Sequence, residues 1–442
     1  MNQSSEKLEG KYDLILTDPP YYDAIGYAAL MDFFYVWLRR TLYGLSPEFD
    51  SAFTEPLSPK IEELIDDASR HGGDKKKSKQ AYEDGMAAVF TQCCNALTDN
   101  GRFVVVFASK NPDAWETLVA AVIRSGFIVK ASWPIATERA GRIRANASAS
   151  LASSVWLVCK KRSVETKAGW DKMVMDEMRQ KIREHLRDYW DSGIRGPDFV
   201  WAATGPAMEA FSKYPAVRKL NENGLMTMAE FLSAVRRIVV EYVVGRVLSG
   251  EDGDEASLET LDDITAYYLL HRHDFNLNDA PAGACILYAL SCGLSDRELA
   301  SKHNLIGYPK GQQDEENEET DENEADTAEE TTETSGNMIR LKTWAQRKSK
   351  SLGQNTGNDK SVPLIDRIHC LMHLWRGGDV DKVDVYLDEN QLRSAELFKR
   401  VMQSIIELSP AGSDERALLE SISNHVVGRK MKKTEQLFQN ER

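Results

Sequence analysis

The sequence predicts an α/β domain over residues 1–163, followed by a region that is helical throughout. Two apolar runs, at residues 14–16 and 102–108, have the composition of buried strands. Segments of helical periodicity separate these strands, and two closely linked strands follow at residues 127–133 and 154–160. Alternation of strands and helices is typical of α/β sheets, whereas the chain from residue 164 onward shows only helical periodicity.

The α/β domain begins with a strand at residues 12–17 and a helix at residues 27–42. That helix is unusually aromatic, and we expect Phe33, Phe34 and Trp37 in the core because they recur at the spacing of one helix face. A second helix is predicted at residues 81–97, closed by Asp99-Asn100-Gly101. A third, at residues 113–124, precedes the last two strands.

The later chain divides into a helical domain at 164–310, an acidic insert at 311–338 and a helical C-terminal region at 339–442. Thr227 with Glu230, and Ser295 with Glu298, form the capping pattern of helix starts. Further helices are predicted at residues 170–189, 261–271, 282–290, 364–375, 395–408 and 415–427.

The composition indicates a protein with sizeable cores in a reducing compartment. A chain of 442 residues with 42% hydrophobic content can form two or three domains. Its six cysteines form no C-x-x-C pair. The most apolar stretch, residues 238–248, is interrupted by Glu241 and Arg246, and no signal peptide is apparent. We therefore expect a cytoplasmic protein without a membrane segment.

Most of the net charge of −14 comes from one segment. Residues 314–333 hold twelve acidic residues and no basic one, which leaves −2 for the rest of the chain. Such a run is expected to be disordered. We interpret it as a solubilising surface loop, and the alternative is a tail that mimics DNA or screens a basic groove. The overall acidity therefore does not exclude a nucleic acid partner.

Asp18-Pro19-Pro20-Tyr21 directly follows the first strand and is the most informative motif. Two prolines stiffen the backbone and remove two N–H groups, so the acid and the carbonyl oxygens can only accept hydrogen bonds. A flipped base could donate its amine protons to Asp18 and to the Pro19 carbonyl, while Tyr21 stacks on the ring. The alternative is a proline turn that merely ends a strand. The motif predicts methyl transfer to a planar amine.

The segment from Thr17 to Arg40 resembles the large adenine-specific DNA methylases that carry an N-terminal DUF1156 domain. Several later segments fit the same family, so the resemblance extends to about Asn424: Ala131-Ser-Trp-Pro134, Thr137-Glu138, Leu151-Ala-Ser-Ser154, Asp198-Phe-Val-Trp-Ala-Ala-Thr-Gly-Pro206 and Asp279-Ala-Pro-Ala-Gly-Ala-Cys285. The resemblance implies an S-adenosylmethionine-dependent DNA N6-adenine methyltransferase of a restriction-modification or phage-defence system. It further implies that Asp18, Pro19, Pro20 and Tyr21 are catalytic and that Thr17 and Asp18 contact the cofactor.

The family also carries a glycine-rich cofactor loop upstream of this motif, and no segment of this sequence supplies one. The strand order resembles the second half of the class I (Rossmann-like) methyltransferase sheet, in which the strands are arranged 3-2-1-4-5-7-6. The strand at residues 12–17 would then form a bare edge, which invites pairing with another chain. We expect the C-terminal half of a split or shortened methylase, with a partner that completes the sheet.

Two basic segments are candidate DNA contacts. Lys75, Lys76 and Lys77 lie in a predicted flexible loop, and Arg139, Arg142 and Arg144 lie between the last two strands. Both would contact phosphates, and the alternative for each is a solvated surface loop. Three functional alternatives remain open: a DNA-binding or scaffold subunit that transfers nothing alone, an RNA methyltransferase and a protein amine methyltransferase.

His369 and His373 are four residues apart on a predicted helix, which is a spacing found in metal sites. No glutamate follows His369, and no third ligand is evident nearby. We interpret both as ordinary histidines of a helix face and expect no metal.

Overall fold

The structure is a computed structural model that describes residues 8, 10–20, 26–60, 63–107, 112–136, 153–163, 165–249, 261–309, 338–349, 351–354 and 362–439. The chain divides into two compact units. The first unit comprises Met1–Thr137, Ala152–His185 and Trp201–Leu232. The second comprises Glu138–Leu151, Leu186–Val200 and Ser233–Arg442.

The first unit contains a mixed four-stranded sheet. Its strands are β1 (Tyr12–Thr17), β2 (Leu97–Phe107), β3 (Phe127–Ala136) and β4 (Ser153–Lys161), in the order β1-β2-β4-β3. β1 is parallel to β2, whereas β4 is antiparallel to both β2 and β3. Among the described strands β1 pairs only with β2 and therefore forms one edge. This sheet and the helices connected to it confirm the prediction of a mixed α/β fold class.

Aromatic side chains form the centre of the first unit's core. The rings of Phe103 on β2 and Phe127 on β3 stack with centroids 4.5 Å apart. Phe90 packs edge-on against Phe103 at 5.3 Å. Phe90 belongs to helix α3 (Lys75–Ala96). The other α-helices described before β4 are α1 (Tyr27–Leu42), α2 (Pro47–Ala52) and α4 (Pro112–Arg124).

Helix α3 and strand β2 both begin earlier than predicted. The sequence predicts a flexible loop at residues 71–79 and a helix from residue 81, but α3 begins at Lys75. Its cap is the Asp74 carboxylate, which accepts hydrogen bonds from the backbone N–H groups of Lys76 and Lys77. Strand β2 includes Asp99-Asn100-Gly101, which the sequence predicts as a turn.

Helix α1 has its expected bounds, but the prediction that its aromatic residues lie in the core was wrong. Seven large apolar side chains of α1 are 40–68% exposed. They form what we call the apolar face of α1: Tyr27, Leu30, Met31, Phe33, Phe34, Trp37 and Leu38. The opposite side, with Tyr35 buried, is the side that contacts the rest of the chain. Periodicity identified a coherent face but could not identify which side is covered.

In the part of the chain that the structure describes, ten α-helices follow β4. They are α5 (Asp171–Asp191), α6 (Gly196–Ser212), α7 (Met228–Ser249), α8 (Asp263–Phe275), α9 (Ala282–Ser291), α10 (Asp296–Ser301), α11 (Leu364–Arg376), α12 (Val380–Glu389), α13 (Glu396–Leu408) and α14 (Asp414–Gln439).

The later chain is mostly helical, but the prediction of an all-helical region was wrong. β5 (Gly169–Trp170) pairs with β6 (Val217–Arg218), and a three-stranded sheet joins β7 (Ala280–Pro281), β9 (Met338–Leu341) and β8 (Ile306–Gly307). Strands this short give too few residues for a periodic signal. The acidic insert predicted at 311–338 lies outside the described residues, except for Met338, which begins β9. In the described part of the chain no helix is both long and apolar enough to span a bilayer.

A buried ion pair lies in the second unit. Arg347 is 1% exposed, and its Nη2 lies 2.6 Å from Asp366 Oδ1. Its Nη1 lies 2.9 Å from Nδ1 of His369, which therefore acts as a neutral acceptor. Burial raises the pKa of Asp366 and holds the pKa of His369 well below its usual range. His373 Nε2 lies 2.8 Å from the Trp344 carbonyl oxygen. Within the described residues, no group of three or more His, Cys, Asp or Glu could hold a metal ion.

Candidate functional site

The motif residues follow the carboxyl end of β1, and we call Thr17–Pro20 the acceptor loop. Because β1 is parallel to β2, the carboxyl ends of both strands lie at the same edge of the sheet. This is the edge at which open α/β sheets bind ligands. Pro19 is buried, whereas Asp18 and Pro20 are exposed. The loop is therefore anchored through one proline while the Asp18 side chain remains accessible to solvent.

Tyr82 on α3 anchors the acceptor loop by a hydrogen bond. Its hydroxyl donates a hydrogen bond of 2.6 Å to the Pro20 carbonyl oxygen, and its side chain is only 1% exposed. The bonded carbonyl is that of Pro20 and not that of Pro19, the acceptor proposed for a substrate amine. The sequence reasoning missed Tyr82. A signal was present, because Tyr82 shares a helix face with Met86 and Phe90, and a buried tyrosine hydroxyl needs a partner.

The three candidate lysines lie on the same helix as Tyr82. Lys75, Lys76 and Lys77 are exposed in the first turn of α3. Lys77 precedes Tyr82 by five residues, or about 8 Å along the helix axis. Its Nζ lies 3.5 Å from Asp74 Oδ2. The structure thus places these lysines at the N-terminus of a helix close to the acceptor loop. The prediction that they lie in a flexible loop was wrong.

Other candidate residues lie outside the described residues. They are Tyr21 and the three arginines Arg139, Arg142 and Arg144. The stacking role of Tyr21 and the phosphate contacts of the arginines stay predictions.

Two later segments that carry the family resemblance pack against each other in the first unit. Ser132 on β3 donates a hydrogen bond of 2.8 Å from its Oγ to the Trp201 carbonyl oxygen on α6. A Cβ added at Gly205 would collide with the backbone nitrogen and side chain of Ser132. The Trp201 ring stacks on Trp115 with centroids 4.3 Å apart. Gly205 is therefore required by a close approach of helix to strand, which is a structural role.

The site fits a substrate amine better than it fits the implied cofactor. Asp18 and the carbonyl of Pro19 are acceptors, which suits an NH₂ group. Gly26, the N-cap of α1, is the glycine described between β1 and α1. Its φ is −63°, and an added Cβ would make only ordinary contacts, the nearest at 3.8 Å. Gly26 is therefore not a position that only glycine can occupy, and among the described residues 18–20 and 26 it does not provide the glycine-dependent approach that the cofactor would need.

Comparison with known proteins gives no further information about the role of these residues. No family model, curated protein or solved structure matches the chain.

Proposed function

We propose that this chain carries the acceptor-base site of an S-adenosylmethionine-dependent DNA N6-adenine methyltransferase, either as a complete enzyme or as one half of a split one. The observation that carries the proposal is the position of Asp18-Pro19-Pro20 at the carboxyl end of β1, held there by the hydroxyl of Tyr82. A chance proline turn needs no buried tyrosine beneath it.

The strand order is a second observation that agrees with the proposal. The observed order β1-β2-β4-β3, with β4 antiparallel to both neighbours, is the order expected for strands 4-5-7-6 of a class I methyltransferase sheet. In that correspondence β1 is the strand that bears the catalytic motif. Four strands are a small part of such a sheet, so the order supports the proposal only together with the acceptor loop.

The chemistry follows from hydrogen-bond polarity. The Asp18 carboxylate and the Pro19 carbonyl would accept the two amine protons of adenine, and Tyr21 would stack on the base. This arrangement orients the amine lone pair and stabilises the positive charge that develops on nitrogen. The bound cofactor would supply the methyl group. An aspartate at the first motif position favours adenine over cytosine, as the family resemblance implies.

The exposed edge of the sheet supports the need for a partner. Leu14 and Leu16 lie on the same face of β1 and are 61% and 56% exposed. Strands of α/β sheets are normally covered on both faces, and the unpaired side of an edge strand is a template for pairing with another chain. A second polypeptide that adds a strand beside β1 and a helix over this face would cover these side chains and could bring the glycine turn for the cofactor. DNA would then contact Lys75, Lys76 and Lys77 through its phosphates.

The proposal is tested by replacing Asp18. Methyl transfer to adenine-containing duplex DNA is measured as N6-methyladenosine after nuclease digestion. The Asp18→Ala variant is expected to lose about 100-fold or more in kcat/KM. Asp176→Asn is the matched control, because Asp176 is an exposed carboxylate on α5. Equal activity of Asp18→Ala and wild type would refute the catalytic role.

Calorimetry with S-adenosylmethionine separates the complete from the split enzyme. Binding to the isolated chain would indicate a complete cofactor site. Binding that requires a second polypeptide with a glycine-rich loop would indicate a split enzyme. The family's glycine-rich loop lies upstream of the motif, and no segment of this sequence supplies one, which favours the second outcome.

The same observation favours a non-catalytic DNA-binding subunit as the second candidate function. Such a subunit would retain salt-dependent DNA binding but transfer no methyl group under either condition. Parallel assays with RNA and with peptide substrates test the two remaining substrate classes.

A further inference from the structure

Helix α1 is amphipathic with its orientation reversed. A surface helix normally buries its apolar stripe and exposes its polar one. The apolar face of α1 instead points to solvent, while the side that carries Asp32 and Arg39 contacts the chain's own residues.

Polar contacts fix α1 in this orientation. Asp32 Oδ2 lies 2.8 Å from Lys60 Nζ, and Ser58 Oγ donates to Asp32 Oδ1 at 2.7 Å. The Tyr35 hydroxyl donates to the Glu55 carbonyl oxygen at 3.0 Å, and Arg39 Nε donates to the Phe53 carbonyl oxygen at 2.9 Å. Rotating the helix to bury its apolar face would break all four contacts. The outward apolar face is therefore a stable feature of the fold.

The apolar face is large enough for a specific interface. Its seven side chains are 40–68% exposed. At roughly 200 Å² for a fully exposed large side chain, they present about 800 Å² together. Isolated patches on monomers rarely exceed a few hundred Å². A specific protein interface of standard size buries about 800 Å² per partner.

We propose that the apolar face of α1 is the interface between two copies of this chain, with the two helices antiparallel across a twofold axis. This inference does not depend on the proposed methyl transfer, and the interface is distinct from the edge of β1. Most homo-oligomers are twofold dimers, in which each patch meets its own copy.

The distribution of charge favours a second copy of the chain over a charged partner. Asp32 and Arg39 point away from the face, so a twofold axis brings no like charges together there. The remaining charged residue of the helix, Arg40, borders the face and lies over the Trp37 ring at 5.5 Å. An antiparallel arrangement places the two Arg40 side chains at opposite ends of the interface.

A bilayer surface is the competing occupant. Helices that lie in a membrane interface flank their apolar side with several lysines and arginines. Arg39 and Arg40 are the basic residues of α1, and Arg39 is bound to the Phe53 carbonyl. Helix α1 therefore does not have the several flanking lysines and arginines that attract anionic lipids.

The oligomeric state tests the proposal. Light scattering coupled to size exclusion is run on the full chain from about 1 to about 100 µM, a range that covers weak standard-size interfaces. The expected mass is twice 49.7 kDa. Phe34→Lys is expected to raise the dimer dissociation constant at least about tenfold. Val385→Lys is the matched control, because Val385 is an exposed apolar residue on α12.

Cysteine cross-linking tests the orientation. Phe34 lies near the middle of the face, so Phe34→Cys is expected to form a disulfide-linked dimer on mild oxidation. In an antiparallel pair that crosses at Phe34, two Tyr27→Cys residues lie about 21 Å apart along the axes and are not expected to cross-link. The wild-type chain, whose Cys94 is half-buried, is oxidised in parallel as the control.

Any of four results overturns the proposal. They are a single-chain mass at every concentration, a dimer that Phe34→Lys leaves intact, a Tyr27→Cys dimer that forms as readily as the Phe34→Cys one, or a monomer that binds phosphatidylserine vesicles through this face. Circular dichroism of Phe34→Lys shows whether the fold is retained, which is expected because Phe34 is 60% exposed.

Discussion

The hydrogen bond from Tyr82 to the acceptor loop gives the sharpest prediction of this structure. Replacing Tyr82 with phenylalanine removes the hydroxyl that donates to the Pro20 carbonyl at 2.6 Å and keeps the aromatic ring. A net intramolecular hydrogen bond contributes about 0.5–1.5 kcal/mol, and an orphaned buried group costs about 1–3 kcal/mol. Pro20 is exposed, so water can solvate its carbonyl in the variant. We therefore expect a loss of about 1 kcal/mol in the free energy of unfolding.

The expected effect on catalysis is larger than the effect on stability. Tyr82 fixes the backbone that presents Asp18 and the Pro19 carbonyl, and small misplacements of positioning groups are costly. A drop of about tenfold in kcat/KM for adenine methylation corresponds to about 1.4 kcal/mol. Urea unfolding is followed by tryptophan fluorescence, to which Trp115, buried in the first unit, contributes.

Tyr35→Phe is the matched control for this prediction. The Tyr35 hydroxyl is also mostly buried and donates to backbone carbonyls, of Ala52 at 3.3 Å and of Glu55 at 3.0 Å. This variant should lose a similar free energy of unfolding but retain methyl transfer. Equal catalytic loss in the two variants would show that Tyr82 has no specific role at the loop, and an unchanged stability of Tyr82→Phe would refute the hydrogen-bond argument.

Three further predictions concern the packing and titration of the two units. Gly205→Ala should destabilise the first unit by about 1–3 kcal/mol in urea unfolding, because its Cβ would collide with Ser132; a neutral effect would show that the helix and strand are less close. Arg347→Met should cost about 3–5 kcal/mol because it leaves the buried Asp366 carboxylate without its cation, and adding Asp366→Asn should recover part of the loss; no recovery would contradict this pairing. Burial lowers the pKa of His271 from 6.5 to about 4, so the unfolded chain binds more protons between these values. Stability is then lost as pH falls through this window, by about 3 kcal/mol, and His271→Gln should remove that part of the pH dependence; an unchanged pH dependence would show that His271 is not responsible.

The acceptor loop and its strand could be predicted from sequence because both are local. An apolar run followed by two prolines restricts the backbone whatever surrounds it, so β1 has its predicted bounds, Tyr12–Thr17. The strand-helix alternation likewise gave the α/β class and the positions of the main sheet strands. Tyr82 was missed because its contact with Pro20 joins residues 62 positions apart, and no local pattern records such a contact.

The aromatic helix shows the limit of periodicity most clearly. The spacing of Phe34 and Trp37 on α1 defines an apolar face but not its surroundings. The covered side was decided by hydrogen bonds and an ion pair to residues 53–60, which hold Asp32 and Arg39 inward. Short strands such as β7 and β8 were missed for a related reason, since a two-residue strand depends on its distant partner in the sheet.

The sequence by itself determined which backbone segments are stiff, apolar or charged, because these properties belong to the residues and their near neighbours. Only the tertiary structure decided that Tyr82 supports the acceptor loop and that the apolar face of α1 is exposed. These features depend on contacts between residues far apart in the chain. Their geometry is set by packing and hydrogen bonding of the whole unit, and local propensity carries no information about it.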